Sequence, residues 1–308
     1  MIEINPYPIP TAETVRSWPG YLYFVHERES IRIKREQGKE GPWTLDPILA
    51  RYRFCNIRRQ DDRVSQWVIK NIIEPFGTLP DLWFNLVLTR LINWPPTLQY
   101  LIDCKIMPCT AETFDGDAFI KALEILKSTG VKVYGGAYMV YPTRKDPGTP
   151  KSVSLVKYII GDIIKQAPEV RRSLAHNLVE DFTVALSQCF GMSTFMSGQV
   201  AADLTYGGAE QLGWADDLYT FAPLGPGSQI GLNYLLLQPL PYKWKPLAFN
   251  EALQEAGGYL VDELHLIGDK QELTLHDIQN TLCEYGKYCR TVLGTGKPKS
   301  LYKPEGAF

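Results

Sequence analysis

Three stretches of the 308-residue chain pair side chains suited to proton transfer or anion binding with loops that would expose them. In the first, Asp216 and Asp217 lie just before Gly225-Pro226-Gly227-Ser228. Glycine on both sides of a proline permits close backbone approach, so the amides near Gly225, Gly227 and Ser228 suit an anion or an extruded sugar. A helix cap and a tight turn would use the same residues. The second stretch, Leu186 to Leu204, reads as helix, short turn and helix, with Gly191, Met192 and Ser193 at the turn and Gln199 beyond it. Turn amides and the following helix N-terminus can hold a phosphate without side-chain charge, although an ordinary corner between helices needs the same small residues. The third joins Phe24 to Glu29, Pro42 to Leu49 and Tyr52 to Arg63. Here Arg53 offers a bidentate donor, Phe54 a stacking ring and Asn56 an amide, with Glu27, Arg28, Arg59 and Asp62 nearby, the parts needed to read a base drawn from its stack. The competing reading is an Arg–Asp lattice (Arg59–Asp62, Arg58–Asp62, Glu27–Arg28) that fastens irregular chain.

Other chemistries lack their signatures. Cys104 and Cys109, or Cys283 and Cys289, miss the C-x-x-C spacing of structural zinc, and His265, His276, Cys283 and Cys289 read as helical core. No metal and no cofactor is therefore assigned. There is no Walker loop, dinucleotide fingerprint or G-x-S-x-G elbow. Net charge is −2, yet eleven cations face seven acids between His26 and Lys70, and Lys287, Arg290, Lys297, Lys299 and Lys303 form a second basic stretch. Two cationic segments on an acidic body suit a polyanion held in a groove. Six scattered cysteines, no long apolar run and no leader-like start give the expectation of a cytoplasmic protein with free thiols.

The elements that must carry these residues read as helices. Apolar residues recur at helical spacing in Asp62 to Ile73 with Pro75 as stop, Asp81 to Trp94, Asp115 to Gly130, Ser154 to Gln166, Glu169 to Ser187, Leu247 to Glu263 and Thr274 to Leu293. Only Val131 to Tyr141 suggests a small β-hairpin. The fold class is mainly α, in two helical lobes meeting near residues 145 and 146, with no internal repeat.

The blocks FVHERESIRIKREQG, PWTLDPIL, YRFCNIRRQDDRVSQW, FGMSTFMSGQVAADLTY and GPGSQIGLN resemble the alpha-glutamyl/putrescinyl-thymine pyrophosphorylases of DNA hypermodification, over roughly Phe24 to Asn233. That resemblance implies a helix-hairpin-helix fold similar to DNA glycosylases. It also implies a double-stranded DNA partner bearing bulky 5-substituted pyrimidines, and identifies no protein partner. The family includes amino acid:DNA transferases acting on pyrophosphorylated hydroxymethyluracil, and an anti-phage glycosylase that removes glucosylated hydroxymethylcytosine is similar to it. Excision would need one carboxylate near the sugar, for which Asp217 is the leading candidate. Asp216 is second, and Asp203, Asp62 and Glu27 stand behind it. Gly191 to Asp217 contains no Lys, so a hydrolytic, monofunctional glycosylase of phage defence is the leading expectation. Transfer would instead seat a pyrophosphate on Arg53, Arg58, Arg59 and Arg63, with Mg²⁺ on Asp61 or Asp62. A DNA-binding module without catalysis is the third possibility.

Overall fold

A computed structural model describes residues 5–136, 146–208, 211–266 and 272–302. The early helices are α1 (Trp18–Glu36), α2 (Pro47–Arg51), α3 (Arg63–Val68), α4 (Glu74–Phe76), α5 (Leu82–Ile92), α6 (Pro95–Asp103) and α7 (Gly116–Ser128). They are followed by α8 (Lys151–Ser154), α9 (Gly161–Leu174), α10 (Val179–Ser187), α11 (Thr194–Leu204), α12 (Pro226–Leu235), α13 (Pro246–Leu266) and α14 (Leu275–Val292). The mainly α class holds. Among the described residues the only β pairing is an isolated antiparallel bridge between Tyr52 and Leu301. Of the expected hairpin, residues 131–136 form no strand, and 137–141 lie outside the described residues.

Side chains set several helix limits as their spacing predicts. Asp115 accepts from Ala118 N to start α7, and Thr274 with Asp277 forms a capping box on α14. Two limits differ. Pro75 is the penultimate residue of its helix, which runs one residue further than expected to Phe76, and the π-helical segment over Ile69–Ile73 before it gives its ring room. The single helix expected over Glu169 to Ser187 is broken, since Asn177 takes a left-handed φ of 54° between α9 and α10.

Contacts divide the chain into residues 1–62 with 219–307, and residues 63–218. The boundary expected near residue 145 thus lies within the second unit's sequence. The physical reason is the core of the first unit, where α14 returns to α1. Tyr21 packs on Tyr285 with ring centroids 4.9 Å apart, and Phe24 on Tyr288 at 5.3 Å. Leu232, Phe249, Leu253 and Leu260 from α12 and α13 complete that core, each buried aliphatic or aromatic side chain contributing about 1.5–3 kcal/mol. In the second unit α5 is buried on every side, so a polar residue on it must find its partner inside. Arg90 does so in a buried ion pair with Asp203 of α11.

Candidate functional site

Residues Tyr52 to Asp62 of the Tyr52–Arg63 block become a short irregular loop in the first unit, with one 3-10 turn over Arg59–Asp61, held between α1 and α14, while Arg63 opens α3. Its backbone groups cannot pair in a ladder, so side chains from both helices satisfy them. From α14, Glu284 accepts from Cys55 N at 3.1 Å, Asp277 from Arg59 N at 2.9 Å, and Asn280 donates to Asn56 O at 3.2 Å. Asp277, Asn280, Glu284 and Lys287 recur every three or four residues, a polar stripe on an otherwise core-forming helix. From α1, Arg28 donates through Nε to Cys55 O at 3.1 Å and through a terminal nitrogen to Asn56 Oδ1 at 2.5 Å. Asn56 closes the loop on itself, its Nδ2 donating to Asp61 O at 2.7 Å and its backbone N–H to Asp62 Oδ1 at 2.9 Å. Arg32 lies 3.5 Å from Asp61 and also pairs with Glu29.

Electrostatics marks this loop out. Burial, joined by the negative charge of Glu284, pushes the Asp62 carboxyl up to about 6, against the Asn56 amide and the Arg59 and Arg28 charges. Asp61 and Asp277 are also raised, in both cases first by burial. The Cys55 thiol goes up through burial and the nearby Asp62 and Glu284 charges, so it stays protonated and unreactive. Burial lowers the Arg28 guanidinium from its ordinary value, with Asp62 and Glu29 opposing.

The geometry gives the expected base-reading residues different tasks. Phe54 is a core ring, 5.8 Å from Phe24 and 6.3 Å from Tyr288, and is not presented for stacking. Asn56 has both ends of its amide engaged within the loop and with Arg28. Arg59 is 3% exposed and Arg28 7%, so both work inside the lattice. Glu27 lies apart, accepting from Asn5 at 3.3 Å. Arg53 alone of the expected base-reading donors is exposed, as is Arg63 of the expected pyrophosphate seat, which lies at the start of α3. Polar contacts other than the expected pairs, Arg28 with Asn56, Arg32 with Asp61 and Arg58 with Glu29 among them, therefore fasten the block, and Asp62 is its chemically conspicuous member. Asp277, Asn280 and Glu284 were not foreseen; buried polar residues at helical spacing in Thr274 to Leu293 were their signal.

The Pro42–Leu49 block is also structural. Asp46 caps α2 through the amides of Ile48 and Leu49, and its other oxygen accepts from Tyr23 at 3.2 Å and Tyr288 at 2.6 Å. Gly227, expected to face a ligand, faces α14 instead. A Cβ on Gly227 would stand 2.4 Å from Cys283 Sγ, and one on Gly231 only 1.9 Å from Leu282 O, so α12 and α14 cross at backbone contact. Gly225 precedes α12 as its N-cap residue, and Ser228 is buried and donates back to Gly225 O at 3.0 Å.

In the second unit, Asp217 accepts from Val179 N at 2.7 Å and Glu180 N at 2.9 Å, which makes it the cap of α10. Asp216 is exposed, its backbone N–H on Asn177 O. The turn before α11 is closed from within. Phe190 N donates to Asp162 at 2.7 Å, Met192 N to Cys189 O at 3.0 Å, and Ser193 caps α11 by accepting from Met196 N. Gly191 has φ +81° and packs against Ile159, while Gln199 is buried. Among the described residues no group of three or more His, Cys, Asp or Glu side chains is arranged to hold a metal ion, and no helix is long and apolar enough to cross a membrane.

Comparison with known proteins corrects the expected reaction. The 5-hmdU DNA kinase of Bacillus phage SP10 is 28% identical over 238 residues, which are 71% of this chain and 36% of that protein. The chain thus spans about a third of the length of this relative. No solved structure matches it. A kinase is a transferase, so the relative overturns the expectation of a base-excising hydrolase of antiviral defence and points to modification. The kinship with DNA hypermodification stands, without the glycosylase-like particulars. A family described as 5-hmdU DNA kinase, helical domain, matches residues 16–297, and this chain belongs to it.

Proposed function

We propose that this chain serves DNA hypermodification by handling nucleotides of the 5-hydroxymethyldeoxyuridine type within DNA, as substrate of a group transfer at the 5-substituent. The observation that carries this reading is the family match over residues 16–297. The part proposed for these residues is recognition of the modified nucleotide together with removal of the proton at its reacting 5-substituent.

Asp62 is the proposed proton acceptor. In phosphoryl transfer the 5-hydroxymethyl oxygen forms its bond to phosphorus while the donor's bridging P–O bond breaks, and the hydroxyl proton must leave. A carboxyl titrating at about 6 is mostly ionised at neutral pH, yet more basic than an ordinary aspartate. Arg28 and Asn56 act as positioning residues, because they fix the loop that carries it. Resemblance to the thymine pyrophosphorylases supports a second reading. There an amine nitrogen bonds to the 5-methylene carbon, the C–O bond breaks, pyrophosphate leaves with the electron pair, and the amine proton goes to the same acceptor.

The test uses duplexes differing only in one thymine or 5-hydroxymethyluracil. One set is incubated with ATP and Mg²⁺, another carries the pyrophosphorylated base and receives an amine, and nucleosides are then weighed by mass spectrometry. Preferential binding of the modified duplex with a mass gain in either set supports the reading. No preference and no mass change in either set sinks it.

A further inference from the structure

Apart from Arg63 and Lys70, both cationic stretches of the sequence fall in the first unit, and the fold joins them. The chain beyond α14 runs back antiparallel to the end of α2, with Arg53 N donating to Ser300 O at 3.0 Å and Tyr302 N to Arg51 O at 2.9 Å around the Tyr52–Leu301 pair. Arg51 and Arg53 are exposed beside this pairing, and Lys297 and Lys299 are exposed on the returning strand. Arg35, at the end of α1, completes the row. Its guanidinium sits 5.6 Å from the Trp43 ring and 5.3 Å from the Tyr302 ring, whose planes meet edge-on. Lys34 donates to Trp43 O at 2.8 Å and Trp43 to Lys39 O at 2.7 Å, so this aromatic bracket is itself anchored. A guanidinium already held between rings loses little freedom on meeting a phosphate. The nearby acids do not cancel the row: Glu36 is paired with Arg32, and Asp46 is buried under two tyrosine hydroxyls.

We infer that Arg35, Arg51, Arg53, Lys297 and Lys299 form a surface that grips the sugar-phosphate backbone of DNA, irrespective of base. This rests on the DNA reading above and adds to it a backbone contact separate from the Asp62 loop. Phosphate contacts position a protein without reading sequence, so their loss weakens all duplexes alike.

The experiment is a fluorescence-anisotropy titration of the full chain with thymine and 5-hydroxymethyluracil duplexes between 50 and 200 mM salt. In Arg51→Ala/Arg53→Ala/Lys299→Ala, the slope of log affinity against log salt should flatten by about 2–3, with roughly 10- to 100-fold weaker binding at low salt. The ratio between the two duplexes should stay as in the parent chain. Single reversals Arg53→Glu and Lys299→Glu, with thermal melts alongside, guard against a folding defect and should act in the same direction. An unchanged slope in all three variants, while the parent binds DNA, overturns the surface and leaves the proposed function standing. A parent chain that binds neither duplex overturns both.

Discussion

The two units bury carboxylates to opposite ends. In the second unit Asp81 takes Trp83 Nε1 at 3.0 Å, Ala111 N at 2.8 Å and two nitrogens of Arg171. Burial pushes its carboxyl up, but Arg171, Ala111 and Trp83 together hold it below the usual range. Asp203 faces the fork of Arg90, and Asp217 gives one oxygen to each of two amides. In the first unit Asp61, Asp62 and Asp277 are all raised, because their partners do not offset burial. A carboxylate with its donors complete is scaffold. One whose burial outweighs its donors, as at Asp277 despite three of them, keeps basicity, and perturbed groups of this kind gather at sites of chemistry.

Substitutions should separate the two behaviours. The largest loss is expected from Asp203→Ala, which leaves the Arg90 charge buried and short of its main partner; denaturant unfolding should show about 3–5 kcal/mol. Gly231→Ala comes next, since its Cβ would meet the Leu282 carbonyl and must spread α12 from α14. About 1–3 kcal/mol or more is expected from a thermal or chemical melt, with Gly227→Ala milder because it meets the movable Cys283 side chain. Asp217→Ala should cost about 1 kcal/mol as a lost cap, and leave the preference for modified DNA in the binding assay as it was. A collapse of that preference with normal stability would move Asp217 from scaffold to site.

The smallest effect has a distinctive sign. The fold favours protonated Asp62, so its ionisation weakens the native state as pH rises from about 4 through about 6. Asp62→Asn should remove that part of the pH dependence, on the order of 1 kcal/mol, and stabilise the chain above pH 6 while any group transfer falls. Paired melts at pH 4.5 and 7.5 check the first half, and the nucleoside mass assay checks the second. A variant less stable than the parent at pH 7.5 would place Asp62 with the scaffold carboxylates.

Much of the helical frame was legible because its instructions are local. Asp115 and Thr274 announce their helices, and the apolar spacing of Phe119, Ala122 and Leu123 gives the buried face of α7. What escaped depends on residues far along the chain. Nothing between Leu174 and Leu178 forces a break except an asparagine able to go left-handed, and the cap for the new helix arrives from Asp217. Gly225-Pro226-Gly227 looked like a ligand loop because a glycine does not disclose what approaches it. The four-residue interval from Gly227 to Gly231, with Gly286 opposite, was the sign that a helix does. The Asp62 loop was visible as an odd mixture of Arg, Asn and Asp, but the residues that tune it, Asp277 and Glu284, lie more than 200 positions away.

The first unit is assembled from both ends of the chain, with residues 63–218 between. During synthesis residues 5–62 must wait, with Tyr21 and Phe24 bare, until α12 to α14 have been made. The intervening helices can meanwhile settle among themselves. Synthesis therefore completes the scaffold before the half that holds Asp62, and a stall late in translation would leave greasy tyrosines and phenylalanines open to aggregation.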